Sequence, residues 1–265
     1  VFGAGGAEHA AQGACVVIAR AGGGFRVFAH DDATLAWAQA AHRVAVQVSQ
    51  DPAIRAVNLR HGGTWFVGVD ALPNDPDGSI TGVRLAGRWA EHIAAPDTWH
   101  RAQLSIVFPG YPRQDPDEAD ANHRYRITRK AAHVDGLLPI GPDRRRYMRE
   151  PHAFILGLPL NVSDAAPLVV WPGSHRIMGT AFAEAIGDKD PTQVDLTDIY
   201  HAARREVFDR INPVAVAAKP GQSILLHRHL LHGVDVWHPG AMAPAEGRMI
   251  AYFRPQFSAA AWVAA

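Results

Sequence analysis

His133-Val134-Asp135 and Leu230-Leu231-His232-Gly233 hold residue types that together can bind a redox-active metal. Two imidazoles and one carboxylate occupy one face of an octahedron and leave adjacent positions open. That arrangement serves non-haem Fe(II) oxygen chemistry. On a strand, side chains i and i+2 share a face, so His133 and Asp135 are expected to converge while Val134 turns away. A third ligand must come from elsewhere in the chain. His227, His229 and His232 compete for that role, because strand phase by itself lets either His227 or His229 reach a metal. An isolated H-x-D recurs by chance and reads most simply as a surface strand, so its weight depends on what surrounds it.

Those residues need elements to position them. Residues 15–20 and 25–29 are short β-prone runs around Ala21-Gly22-Gly23-Gly24, a hairpin pattern. Asp31 or Asp32 caps a predicted helix that runs to about Gln50 and ends at Asp51-Pro52. Beyond it, residues 56–60, 64–69, 101–108, 125–135, 152–161, 168–171, 223–231 and 248–253 read as strands between Gly-, Pro- and Asp-rich turns. Residues 180–212 interrupt this series. There Thr197-Asp198 starts a predicted helix carrying Ile199, Ala203, Val207 and Ile211, stopped by Asn212-Pro213. The expected fold is mainly β: a double-stranded β-helix (jelly roll, cupin-like) with flanking α-helices, forming one domain over residues 1–265. Its accessories are an N-terminal hairpin and helix layer at about 14–50 and a helical insertion at about 180–212.

Composition narrows the class. With 48% apolar and 20% charged residues, the chain is globular rather than disordered. A formal net charge of +0 leaves no electrostatic footprint for nucleic acid or an anionic membrane. The single cysteine, Cys15, cannot form an internal disulfide, which fits a reducing compartment. Residues 1–6 have no basic segment leading into an apolar run, and no stretch approaches the roughly 18 apolar residues of a membrane span. The expectation is a cytoplasmic protein acting on a small molecule, with neither nucleic acid nor membrane as partner.

Around the second histidine cluster the pattern becomes familiar. Pro167-Leu168-Val169-Val170-Trp171-Pro172-Gly173-Ser174-His175-Arg176 resembles the P-L-x-x-x-P-G-S-H-R segment of the phytanoyl-CoA dioxygenase family. Lys219-Pro220-Gly221-Gln222-Ser223-Ile224-Leu225-Leu226-His227, followed by Leu230-Leu231-His232-Gly233, is similar to that family's P-G-D-x-x-x-F-H and L-L-H segments. The likeness runs from about Tyr125 to Phe253 and rests on the order of these motifs. It implies a jelly-roll enzyme using Fe(II), 2-oxoglutarate and O2 to hydroxylate a small molecule, releasing succinate and CO2. It also implies His133, Asp135 and His232 as iron ligands, with His227 orienting a ligand or the cosubstrate.

The resemblance further implies an arginine for the far carboxylate of 2-oxoglutarate, since guanidinium is permanently charged and bidentate. Arg248, opening Arg248-Met249-Ile250-Ala251-Tyr252-Phe253-Arg254, matches that register; Arg254 lies on the same face, farther along. If 125–135 is one regular strand, Arg129 and Tyr125 also face the metal; an ordinary rim ion pair is the equal alternative for Arg129. Two features depart from the family. Val234 stands where a hydroxyl residue is common, and the connection from His232 to Arg248 is long. These keep two other readings open: a non-catalytic jelly-roll binding protein, and a cupin-like metalloenzyme using the metal as a Lewis acid without 2-oxoglutarate. Finally, Arg144-Arg145-Arg146 and Arg149 form either a loop that attracts an anionic substrate or a plain solvated turn.

Overall fold

A computed structural model describes residues 22–264. The chain order is β1 (Phe25–Phe28), α1 (Asp32–Gln50), α2 (Pro52–Asn58), β2 (Leu59–Arg60), β3 (Trp65–Leu72), β4 (Ala102–Val107), α3 (Asp120–Thr128), β5 (Leu137–Ile140) and β6 (Arg145–Met148). There follow β7 (Phe154–Pro159), β8 (Leu168–Val170), α4 (Ser174–Ile186), α5 (Thr197–Arg210), β9 (Val214–Val216), β10 (Ser223–His227), β11 (His232–Val234), β12 (Arg248–Phe253) and α6 (Ala259–Val263).

Seven strands make the major sheet, in the order β1-β10-β7-β12-β4-β3-β2, and β11-β8-β9 make a smaller one. Every pairing in both is antiparallel. The two sheets meet across Ile155, Ile224 and Leu226 on one side and Leu168 and Val170 on the other. This is the jelly-roll arrangement with flanking helices.

Strand alternation sorts the major sheet into two faces. One face, with Phe66, Leu104, Leu156, Leu225 and Ala251, packs against Trp37, Ala38, Ala41 and Ala45 of α1. Small residues on that helix let it lie close to the sheet. Its first turn is fixed by the Asp31 side chain, which accepts from the Thr34 N–H at 2.8 Å. The opposite face carries Trp65, Gln103, Ser105, Ile155 and Tyr252 and looks into the barrel. Helices α4 and α5 cover the smaller sheet from outside, through Met178, Phe182, Tyr200 and Val207. The fully buried Trp262 of α6 completes that layer.

The helix from Asp32 to Gln50 and the strand from Arg248 to Phe253 match their sequence expectations. Several other segments do not. Residues 56–60 are mostly helical, because Pro52 opens α2 rather than merely ending α1, and Asp51 caps it by accepting from Ala53 and Ile54 N–H. Residues 125–135 are not one strand. Helix α3 occupies the first part, Lys130 and Ala131 then adopt positive φ (56° and 52°), and His133 makes an isolated bridge to His232. Residues 223–231 end as a strand at His227, and the chain reverses before His232. The basic run falls on a hairpin: Arg144 ends the turn, Arg145 and Arg146 open β6, which pairs with β5, and Arg149 follows it; Arg145 is bound by Asp195 and Asp198. The first half of the expected N-terminal hairpin, 15–20, lies outside the described residues; β1 pairs with β10. In α5, Ile199 faces solvent, while Tyr200, Ala203 and Val207 are buried.

Three buried histidines on the helical side predict how stability responds to pH. His175 and His227 have ring centroids 4.8 Å apart, and His227 and His229 5.4 Å apart. Burial, aided by the charge of Arg176, pushes His175 down to about 4. Burial and the Arg228 charge push His227 down to about 2 and His229 well below the usual range. Below an unfolded pKa near 6.5, the unfolded chain therefore binds more protons than the folded one. Stability from these groups is complete above pH 6.5 and is lost progressively as pH falls toward 4. At pH 5 the loss is roughly 2 kcal/mol per histidine. Urea midpoints of the metal-free protein at pH 7.5 and 5 should show it, and His229→Leu should flatten the slope. Equal midpoints at both pH values would remove the argument.

Candidate metal centre

Two chain segments meet backbone to backbone to build the centre. His133 N–H donates to His232 O at 2.8 Å, and His232 N–H donates to His133 O at 3.0 Å. Val234 N–H reaches Lys130 O at 2.9 Å. The approach is so close that a Cβ on Gly233 would stand 2.1 Å from Lys130 O. Only glycine fits beside His232. Gly136, with φ 88°, turns the chain just after Asp135, and a Cβ there would meet Glu150 O at 2.3 Å. The smaller sheet holds the other flank, with His232 opposite Val170. From α4, the Ser174 hydroxyl accepts from Leu231 N–H at 2.9 Å, which fixes the segment leading into His232.

His133, Asp135 and His232 each offer one ligand atom, all within 4.8 Å of one another. His133 Nε2 lies 3.2 Å from Asp135 Oδ1, and His232 Nε2 lies 3.8 Å from Asp135 Oδ2. Both imidazoles are oriented from behind. His133 Nδ1 bonds to Ala131 O and His232 Nδ1 to Leu230 O, each at 2.9 Å. A histidine that donates its Nδ1–H to a carbonyl presents Nε2 as the free donor atom, the usual support for a metal-bound imidazole.

The charge states suit a cation. Burial opposes the ionised form of Asp135, but the adjacent Arg254 and the His133 hydrogen bond overcome it and hold the carboxyl well below its usual range. His232 is pushed down to about 4 by burial and the neighbouring His133, so it is neutral at pH 7. Burial also opposes a charge on His133, yet its bond to Asp135 outweighs burial and raises its pKa. A proton there sits where a dication would otherwise sit. The donor set fits a divalent ion such as Fe(II), with open positions toward the cavity.

That cavity runs between the sheets. Beyond the three candidate ligands its walls include Ile155, Leu168, Leu226, Val234 and Tyr252, with Trp65 and Tyr111 toward one end. Arg254, just past the end of β12, lies near the centre. Its Nη1 donates to Asp135 Oδ2 at 3.1 Å, and its Nη2 donates to Gln103 Oε1. It therefore braces the candidate ligand. Arg248 occupies the opposite end of β12, across from Val107, which in turn faces Trp65. It is 5% exposed, and its Nη1 has no hydrogen-bond partner among the described residues. The Tyr111 hydroxyl makes no well-formed hydrogen bond, with Arg126 its nearby cation; burial raises it to about 12 despite the charges of Arg126 and Arg248. Tyr111 lines the cavity, and Arg248 lies on the same side of the major sheet near it; a carboxylate would satisfy such donors.

Other expected site residues are elsewhere. Arg129 caps the end of α3 at the surface, with its guanidinium 4.5 Å above the Phe208 ring, because a helix rather than a strand precedes the metal motif. His227 shares its face with Leu225, away from the cavity-lining Leu226, and packs against His175 and His229. It does not reach the centre. His229 is enclosed by Phe182 and Trp262. Trp171 belongs to the core under α5, as a buried tryptophan usually does. Gln103 and Ser105 were not singled out from the sequence. Their signal is polar residues two apart within an otherwise apolar strand, the mark of a strand face turned to a polar site. Tyr111 left no such signal.

The chain matches no protein-family model and no curated protein. Among solved structures, EctD from S. alaskensis with 2-oxoglutarate and 5-hydroxyectoine is 17% identical, over 90% of this chain and 73% of that one, with a TM-score of 0.45. The non-heme alpha ketoglutarate dependent carbocyclase SnoK from nogalamycin biosynthesis is 14% identical over 93% and 83% of the two chains, with a TM-score of 0.46. EctD has also been crystallised with bound Fe. The function is read from the chain's own side chains.

Proposed function

We propose that this chain is an Fe(II)- and 2-oxoglutarate-dependent oxygenase that hydroxylates a small molecule. The observation carrying this reading is the convergence of three ligand atoms at one cavity, with both Nε2 atoms presented; Arg248, farther along the same face of β12, adds a buried Nη1 without a partner. His133, Asp135 and His232 hold the metal, and Arg254 keeps the Asp135 carboxylate ionised and in place. Arg248 and Tyr111 receive the far carboxylate of the keto acid. Ile155, Leu168, Leu226 and Val234 exclude water around the reacting atoms. When bound, iron with 2-oxoglutarate supplies O2 activation, with succinate and CO2 as the co-products. Structures of EctD with Fe and with 2-oxoglutarate are in keeping with this reading.

Val234 lines the cavity without a hydroxyl, which favours a second reading, a metal-binding protein that has lost the cosubstrate. The Tyr111 hydroxyl, also lining the cavity, offers a replacement contact. The test begins without oxygen. Adding 2-oxoglutarate to the Fe(II) protein should produce a visible charge-transfer band, and admitting air should release succinate only when iron is present. Tight Fe(II) binding without either signal would select the second reading.

A further inference from the structure

At the Trp65–Tyr111 end of the barrel a second group of polar side chains closes on itself. His61 lies in the turn between β2 and β3, Asp115 and Glu118 precede α3, and His123 is on α3. His61 Nδ1 is 3.5 Å from Asp115 Oδ2, and His123 Nδ1 is 3.9 Å from Glu118 Oε2. One ligand atom each from His61, Asp115 and Glu118 lie within 4.8 Å of one another. Two of the four are deeply buried, while His123 and Asp115 are partly exposed, at 21% and 31%. The Glu118 side chain is 8% exposed and that of His61 12%. Their facing atoms are not satisfied, since His61 Nδ1, His123 Nδ1 and Glu118 Oε2 are all buried without a hydrogen-bond partner. Buried polar atoms are nearly always paired, so the orphans His61 Nδ1 and Glu118 Oε2, brought together with Asp115, call for an occupant, and His123 Nδ1 stands 3.9 Å from Glu118 Oε2.

We propose that His61, Asp115, Glu118 and His123 form a second, structural divalent-cation site of the Zn(II) class. Two imidazoles and two carboxylates are a suitable donor set, with bonds near 2.0–2.2 Å that set ligand atoms roughly 3.3 Å apart. His61, Asp115 and Glu118 already present atoms within 4.8 Å of one another, and binding would draw them and His123 inward. Supporting contacts are already in place. Arg126 bonds Glu118 through Oε1, leaving Oε2 for the cation. Asp115 accepts from Gly62 N–H at 2.6 Å and from His61 N–H at 2.9 Å. Outer partners of this kind orient ligating carboxylates. With four protein ligands the site is closed, which marks it as structural. It ties the 61–62 turn to the 115–123 segment beside the cavity wall, where the His61 ring stacks on Trp65 with centroids 5.6 Å apart.

The experiment separates this site from the first by disabling the first. The Asp135→Ala/His232→Ala protein, stripped with chelator, is titrated with Co(II) and then with Zn(II). One equivalent of Co(II) should bind with the intense visible absorption of tetrahedral coordination. Zn(II) should displace it and raise the melting temperature by several degrees, as any ligand of the folded state does. His61→Gln or His123→Gln, added to that background and confirmed folded by circular dichroism, should each abolish the absorption. If the background protein binds no second ion, or if both added variants keep the band, the proposal is wrong. Because two of the three candidate iron ligands are already gone, the outcome is independent of the oxygenase reading.

Discussion

Asp135→Ala should abolish stoichiometric Fe(II) binding at the His133 centre and, with it, all 2-oxoglutarate turnover. The carboxylate is within reach of both Nε2 atoms, at 3.2 and 3.8 Å, and it supplies the negative charge that offsets the dication. Its removal leaves two neutral imidazoles beside the Arg254 guanidinium, an environment that repels a cation. The loss should exceed the roughly 10–100-fold typical of deleting a group that only supports a ligand. His133→Ala and His232→Ala should behave alike. His229→Ala should bind iron nearly normally, since that ring lies between Phe182 and Trp262. Anaerobic Fe(II) titration with succinate release as a second readout distinguishes the cases. Iron retained in His232→Ala but lost in His229→Ala would mean that the third ligand has been misassigned.

Arg248→Ala is expected to weaken 2-oxoglutarate binding while leaving Fe(II) binding intact. A buried guanidinium with an unpartnered Nη1 gains a charge-assisted contact when a carboxylate arrives, which is typically worth about 1.5–3 kcal/mol. That corresponds to roughly a 10- to 150-fold rise in the dissociation constant. Arg248→Lys should recover only part of it, because a single ammonium cannot reproduce the bidentate fork. Arg254→Ala should have the opposite profile. It holds Asp135 at 3.1 Å, so its loss should lower metal affinity about 10–100-fold, with little direct effect on the keto acid. The charge-transfer titration at saturating Fe(II) reads the first effect, and the metal titration reads the second. A cosubstrate defect confined to Arg254→Ala would reverse the two roles.

The local chain determined a good deal. The Asp31 cap with its helix and the alternation in 248–253 depend on neighbours a few residues away, and both appear as the sequence indicates. The types of His133 and Asp135 marked a candidate metal pair, because ligand chemistry resides in the side chains themselves, whereas His232 as the third ligand rested on the family resemblance. What spacing could not supply was direction. The 125–135 segment reads as a strand, yet the described chain is a helix and a left-handed turn before a single bridge. Convergence of the centre is therefore owed to the long-range pairing of His133 with His232 and not to strand alternation. His227 and His229 likewise look interchangeable with His232 until the reversal after β10 sends them behind the sheet. The difference between Arg254 and Arg248 has the same origin. Six residues apart on one face, they are separated in sequence only by the register of the resemblance; the packing of Asp135 and Gln103 around one, with an unpartnered Nη1 on the other, gives the physical distinction. Pairings across a hundred residues decide such matters, because they depend on which surfaces the two sheets bury against each other.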